Sequence, residues 1–544
     1  MSAVSQSLAQ LEVFVVDCQA TAAAPLGHLL EIGWARSTTT TTKTDARLIA
    51  LPRGAHIPPA VARLTGISEQ MAHDGIGVDV AWRELASEAA RLTTQPAPTV
   101  IHFARFEQPF LRRLAGESTP LDIVCTHDIA RRLLPDLPRC GVRALAGYFG
   151  RGIGTLRRSA DHVAATAFVW RELVRLLEVE GVATWSTLHE WLATRRAPRR
   201  ARRVWPMPRE VRLSLPDAPG IYRMLRTSGD VLYVGKAASL RHRVNSYFRK
   251  QTGIHERTLE MLSQARGLSY HVTPSALEAA LVECDEIKQY RPPYNVALTV
   301  ENRALWFTPS NLAARRANPS SEYPLGPFPS AAMLDEFDAL AAADSRALGA
   351  GRWRPDAATF DAGYARLYAA HSELWNHDVG GHERLLRLGT RLWRDGRRDH
   401  DVDADDETRV ITTWTPELVQ RSLEWLALRA SLARRRAIWL TRLVDASVVW
   451  TEPGTSDARL LVIEEGEILV NRDMDADTTP PIPPGHSRPT AVRREVFTLA
   501  RFDRLRVLST ELKRLVGAGA PVAVRFGVGP PVADAHLASV LWWV

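Results

Sequence analysis

Cysteine is scarce in this 544-residue sequence: Cys18, Cys125, Cys140 and Cys284 are all there is. Four scattered thiols make no disulfide scaffold. No two form a CxxC, so a four-thiolate zinc or iron–sulfur site is not expected. No apolar run approaches the roughly 18 residues of a membrane span, so no membrane partner is expected. The first ten residues have neither a basic start nor an apolar core, so no export signal is expected and a cytoplasmic location is. Neither sign of charge dominates. Lys+Arg number 69 and Asp+Glu 61, a net +8 that is too modest to prove a polyanionic partner. Hydrophobic residues make up 45% and charged residues 24%, which excludes a mostly disordered chain. At roughly 150 residues per domain the length predicts three to four domains. There is no fixed-period repeat, and no feature points to a particular oligomer.

The positive charge is unevenly placed. Six arginines fall within the nine residues Arg195–Arg203, among them Arg199, Arg200, Arg202 and Arg203. Clustered like charges repel, so this reads as an exposed connector that is either a plain linker or a DNA contact. Before it, LEVFVVDC (11–18), Leu29–Ala35 and Thr99–Phe103 read as strands, with helices over Glu107–Leu114 and Asp161–Glu178, an α/β grammar. After it, Gly220–Arg226 and Val231–Gly235 read as a hairpin turned by Thr-Ser-Gly-Asp. Helices follow from Ser239 to Lys250 and from Ser275, where Ser275 and Glu278 have capping-box spacing. Beyond 301, helical patterns cover about 331–347, 357–374, 381–396 and 415–443. Strand-like runs follow at Ala446–Trp450, Arg459–Glu464 and Glu467–Asn471. The ten tryptophans of this part read as core rather than as base-stacking platforms. The acidic run 399–407 lacks the glycine and the twelfth-place acid of a calcium loop and reads as solvated. The predicted boundaries are 8–190, a basic linker 191–212, a compact domain 213–300, and a C-terminal region 301–544.

Chemistry concentrates in the compact domain. With the turn at Thr227–Asp230, Tyr222 lies opposite Gly235 and Tyr233 opposite Met224, so both phenols share a face. Gly220 and Gly235 leave room for a backbone or phosphate to approach. Arg243 and Tyr247 are four apart on one helix face. On the Ser275 helix, Glu283 flanks the stripe Leu277, Ala280, Leu281, Cys284 and Ile287, and a half-shielded carboxylate suits a hard metal ion. Singly, each has a plain reading: a packed tyrosine, a surface arginine, a glutamate paired with a base. Together, PGIY, then LYVGKAASLRHRVNSYF, then LEAALVECDEIKQYRPPYN resemble the GIY-YIG nucleases over Leu215–Leu298. They are especially similar to the N-terminal catalytic domain of UvrC-type excinuclease subunits and to Cho endonucleases. The resemblance implies a small α/β domain that cuts DNA with one Mg²⁺ or Mn²⁺ held by Glu283. Tyr222 or Tyr233 would deprotonate water, Arg243 and Lys236 would stabilise phosphate charge, Tyr247 would orient it, and Asn295 would support the site from behind. Seven Lys/Arg and one acid between Arg223 and Lys250, Arg241, Arg249 and Lys250 among them, suit a DNA face.

The first segment resembles the DEDD exonucleases, with an RNase H-like fold, over about Leu11–Leu177. VVDCQAT, LLEIGWAR, LTGIS, VIHFARFEQPFL and RRSADHVAATA carry the likeness. That chemistry uses two divalent ions held by carboxylates and a histidine base. Here Asp17 and Asp161 are kept. Gln19 stands in place of Glu, Glu107 in place of Asp, and Leu156 where the histidine falls. The expectation is a degenerate module that binds DNA or a partner, with two ions only if it works. Residues 323–330 are similar to a segment downstream of the UvrC catalytic domain, but the cysteine cluster of those proteins is absent. The chain thus reads as an α/β and α+β multidomain fusion with a mainly helical tail carrying some strands. The function expected is 3′-side incision in nucleotide excision repair, with UvrA/UvrB-type partners. A nuclease with both sites active and a non-catalytic DNA-binding adaptor are the alternatives.

Overall fold

The structure is a computed structural model. It describes residues 6–39, 43–116, 119–194, 204–249, 253–299, 303–342, 355–375, 379–395, 414–453, 457–475, 479–484 and 497–541. The arginines of the connector, Lys250 and the acidic run 399–407 lie outside the described residues. Two compact units form: Met1–Val272 with Pro292–Asn295, and Thr273–Arg291 with Val296–Val544.

In the first unit, five strands make one sheet: β1 (Val13–Ala20), β2 (Leu29–Ser37), β3 (Asp45–Leu48), β4 (Ala97–Ile101) and β5 (Leu121–Cys125). Their order is β3-β2-β1-β4-β5. β1, β2 and β3 pair antiparallel, while β4 and β5 run parallel to β1, an RNase H-like arrangement. The run of apolar residues in β1 follows from burial on both faces. Val13 and Val15 join a core with the helix Ser159–Val179, and Phe14 and Val16 join another with the helices Val78–Ala89 and Ala104–Ala115.

A second sheet in this unit holds β6 (Gly220–Leu225), β7 (Val231–Ala237) and β8 (Gly267–Val272), ordered β7-β6-β8 and antiparallel throughout. Helices Leu240–Arg249 and Glu256–Gln264 accompany it. Tyr222, Met224, Leu240, Val244 and Phe248 lie in its core. The second helix packs on Val142–Tyr148 of the preceding module through a polar chain. Arg226 Nε donates to Gln264 Oε1 at 3.1 Å, Tyr294 donates to Glu260, and Arg143 pairs with Glu260 at 3.3 Å. Arg226 and Gln264 are buried, so each needs its partner to offset lost hydration.

The second unit begins with the helix Ala276–Tyr290. Ser275 caps it by accepting from the Glu278 backbone N–H at 3.2 Å. The strands β9 (Trp306–Thr308) and β10 (Leu325–Phe328) pair antiparallel. Helices Ala331–Ala341, Ala357–Ala370, Gly381–Arg394 and Pro416–Leu443 then share one apolar core. An antiparallel sheet follows: β11 (Ala446–Thr451), β12 (Ala458–Glu464), β13 (Glu467–Met474), β14 (Val522–Phe526) and β15 (Val532–Ala533), ordered β13-β12-β11-β14-β15. Helices Leu499–Gly517 and Asp534–Leu541 complete it. Trp439 and Trp450 are core residues, as aromatic bulk predicts. The tail is thus helical first and mixed afterwards, and the chain is α/β and α+β. No described helix is long and apolar enough to cross a membrane.

Candidate active site

The hairpin register is the one the turn predicts: Tyr222 opposite Gly235 and Met224 opposite Tyr233. Tyr222 is fully buried and Tyr233 half-buried. Tyr247, from the helix Leu240–Arg249, completes a triangle of rings. Its centroids lie 6.1 Å apart for Tyr222–Tyr233, 6.3 Å for Tyr222–Tyr247 and 6.4 Å for Tyr233–Tyr247. The Tyr222 and Tyr247 hydroxyls are 3.0 Å apart. Arg243 Nη2 donates to the Tyr247 hydroxyl at 3.3 Å, and either phenol can donate to the other. Burial, then the neighbouring Tyr247 and Tyr233, push the Tyr222 phenol well above its ordinary range, so it stays protonated.

Glycine explains the tightness of this triangle. A Cβ at Gly235 would lie 2.5 Å from the Tyr222 hydroxyl, 2.6 Å from Tyr222 Cζ and 2.7 Å from Tyr233 Cε1. The space beside Gly235 is therefore filled by the phenol rings, not by a phosphate. At Gly220 a Cβ would meet the His271 carbonyl oxygen of β8 at 2.3 Å, so that glycine admits the neighbouring strand.

The other expected residues distribute as follows. Asn295 Oδ1 accepts from Val234 N at 3.0 Å and Asn295 Nδ2 donates to Val234 O at 2.9 Å. It pins the strand residue between Tyr233 and Gly235. Arg243 and Arg249 are exposed. Arg241 is also exposed, but its Nε is spent on the Leu215 carbonyl at 2.8 Å. Lys236 is half-buried opposite Ile221, and strand alternation puts it on the face away from Gly235. Glu283 is half-buried on the helix Ala276–Tyr290, within the second unit.

The exonuclease-like residues gather only in part. Asp17 is 6% exposed and Glu107 3% exposed. Burial, then Asp17, push the Glu107 carboxyl well above the carboxylate range, and Glu107 Oε2 is buried with no hydrogen-bond partner. Burial raises Asp17 too, against the pull of His162 and Gln19. Gln19 Nε2 donates to Asp17 Oδ2 at 3.0 Å, occupying an oxygen that an ion would need. Asp161 is exposed and accepts from the Arg158 backbone N–H at 3.4 Å. An amide that carries no negative charge and a carboxylate exposed at its own helix cap leave two buried acids, Asp17 and Glu107, of the four positions.

Three features here escaped sequence reasoning. His162 Nδ1 lies 3.6 Å from Asp17 Oδ1. The adjacent Asp161-His162 pair was the visible signal. Glu31 is buried and receives Arg158 Nε and the Ser159 backbone N–H, the latter at 2.7 Å. Its place opposite Gln19 in the ladder could have suggested it. Phe103, 48% exposed, sits at φ 66° and stacks on His127 at 4.2 Å. A bulky residue in the left-handed region is rare, and such strain concentrates at ligand sites. Phe103, His127, Arg131 and Arg139 line a concavity of about 500 Å³.

The small sheet with its phenol triangle defines a class. Residues 218–296 match the UvrC-like GIY-YIG domain, and the chain carries that domain. A Mycobacterium tuberculosis (strain CDC 1551 / Oshkosh) protein named as a bifunctional exonuclease/endonuclease is 30% identical over 299 residues, 53% of this chain and 44% of that protein. The UvrABC system protein C of Legionella pneumophila (strain Lens) is 44% identical over 131 residues, 22% of this chain and 21% of that protein. The chain thus spans less than half the length of these relatives. Among solved structures, the magnesium-bound GIY-YIG N-terminal endonuclease domain of Thermotoga maritima UvrC is 34% identical and fully covered, over 16% of this chain, at a TM-score of 0.15. The exonuclease-like module and the nuclease domain are fused in one chain, as their separate sequence signatures predict.

Proposed function

We propose that this protein is a metal-dependent DNA endonuclease that incises damaged or distorted duplex, on the 3′ side of the lesion, in nucleotide excision repair. The observation that carries this reading is the Tyr222–Tyr247–Arg243 network closed around Gly235 in a UvrC-like GIY-YIG domain. Tyr233, half-buried, is the phenol that can reach water and act as general base. Tyr222, buried and held protonated, orients Tyr247. The exposed Arg243 guanidinium meets the charge that develops on the phosphate; Lys236, on the opposite sheet face from the phenols, takes no part in that contact. Asn295 keeps Val234, and with it Tyr233, in place. Glu283 is the carboxylate that would hold one Mg²⁺ or Mn²⁺. A single hard oxygen ligand with open positions fits an ion that retains several waters. When bound, the ion supplies Lewis-acid stabilisation of the phosphoryl and leaving oxygens.

The exonuclease-like module serves as a DNA-binding or partner-docking unit. Gln19 in place of an acid and Asp161 at a helix cap support that role, and the Phe103–His127 stack beside Arg131 offers a base-stacking surface. The test of the repair assignment is incision of a lesion-bearing duplex with and without UvrA- and UvrB-type proteins. The expected result is a cut on the 3′ side of the lesion that the partners stimulate. Equal cutting of undamaged and damaged duplex, unaffected by the partners, would remove the repair role.

A further inference from the structure

The tail beyond the nuclease motifs has no assigned role, yet it grips the helix that carries Glu283. Leu277 and Leu281 of the helix Ala276–Tyr290 belong to the same apolar core as Trp439, Trp450, Phe502 and Leu505. Ion pairs hold the helix on both sides of Glu283. Five residues before it, Glu278 lies 2.5 Å from Arg459 Nε, and both side chains are more than nine-tenths buried. Arg459, on β12, also pairs with Asp473 and donates to Asn471 Oδ1 at 3.1 Å, both on β13. Two residues after Glu283, Asp285 faces Arg504 at 3.6 Å. Five after, Lys288 reaches the buried Asp503 at 3.1 Å, which Arg303 also contacts at 2.7 Å. The Ser275–Glu278 spacing that reads as a capping box thus has a second use: the hydroxyl caps, while the carboxylate anchors.

We propose that the C-terminal sheet and the helix Leu499–Gly517 are a positioning platform for Glu283, with Arg459 and Asp503 as its positioning residues. The inference rests on the reading of Glu283 as the metal ligand. A side-chain tip about 6 Å from a helix axis moves about 1 Å when the helix rotates by about 10°. A displacement of that size costs on the order of 10²-fold in rate. Anchors at both ends of one helix oppose both rotation and sliding. A helix this short, with only its own apolar stripe to hold it, has no comparable restraint.

The test uses the full chain, supercoiled DNA and a Mg²⁺ titration, read as nicking and, without DNA, as the heat of Mg²⁺ binding. Glu283→Gln is the control: if it nicks like wild type, the metal-ligand reading fails and the platform fails with it. With Glu283→Gln inactive, Arg459→Glu is expected to lower kcat and raise the half-saturating Mg²⁺ concentration, each by about 10- to 100-fold, with KM for DNA unchanged. Adding Glu278→Arg to Arg459→Glu restores most of both. Arg504→Met, at the more exposed anchor, keeps the fold and shifts the Mg²⁺ dependence in the same direction by a few-fold. Wild-type Mg²⁺ dependence in both Arg459→Glu and Arg504→Met, with Glu283→Gln inactive, overturns the platform and leaves the nuclease reading standing. So does a loss of rate at unchanged Mg²⁺ dependence.

Discussion

Gly235→Ala is the smallest change that should disable the nuclease. The added methyl carbon would lie 2.5–2.7 Å from three atoms of Tyr222 and Tyr233, where ordinary contact begins at 3.4 Å. The rings must therefore give way by as much as 0.9 Å (3.4 − 2.5). Tyr222 is fully buried, so its neighbours, the strand or the 3.0 Å Tyr222–Tyr247 contact must yield. Overpacking of this kind costs about 1–3 kcal/mol of stability. Misplacement near 1 Å costs on the order of 10²-fold in rate. The assay is nicking of supercoiled DNA at saturating Mg²⁺, with DNA affinity measured on the same preparation. The expected result is a rate drop of about 10²-fold at near-normal affinity, because Arg243 and Arg249 are untouched. A rate within twofold of wild type would refute the reasoning that glycine is required by the phenols.

Tyr233→Phe should slow nicking by about 10²–10⁴-fold, as loss of a general base does. Tyr222→Phe should cost only about tenfold, the worth of one hydrogen bond; the reverse order would exchange their roles. On a Glu283→Ala background, 3′-end-labelled DNA should not be trimmed, and Asp17-dependent trimming would show the exonuclease-like site to be active. His102 is buried, and burial, then His127 and His162, lower its pKa to about 3. The unfolded chain then binds a proton that the native one refuses, so stability is full above pH 6.5 and falls as pH drops toward 3. Between pH 7.5 and 5 this costs ~2 kcal/mol. A His102→Gln variant should show a shallower decline in a denaturant titration, and an identical pH slope would remove His102 as the cause.

The sequence made the hairpin legible down to its register. Its turn residues and period-two alternation leave one pairing that puts Tyr222 on Gly235. The apolar stripe of the Ala276–Tyr290 helix was equally plain, because Leu277 and Leu281 recur at helical spacing. Their partners were not. Trp439 and Phe502 lie more than 150 residues away in the chain, and periodicity says which face is buried but never against what. The resemblance implies that Asn295 supports the site, but not that it does so by clamping Val234: a side-chain amide that imitates a strand has no spacing signature. At Gly235 a sequence shows vacancy but not its occupant, so the room expected for a backbone or phosphate is taken by Tyr222 and Tyr233. In the exonuclease-like module, Gln19 and Leu156 announced the broken set, but the approach of His162 to Asp17 depends on how the Ser159–Val179 helix docks on β1. The tail's helices and strands were readable as elements, whereas its hold on Glu278 and Lys288 is purely tertiary.

The central claim is that Glu283 makes this a metal-dependent endonuclease. The most direct measurement compares wild type and Glu283→Ala for nicking of supercoiled DNA across a Mg²⁺ titration, with an EDTA control and DNA binding measured in parallel. The account predicts Mg²⁺-dependent nicking by the wild type, none by the variant, and equal DNA affinity for both. Undiminished nicking by Glu283→Ala in Mg²⁺, or wild-type nicking that survives EDTA, would contradict it.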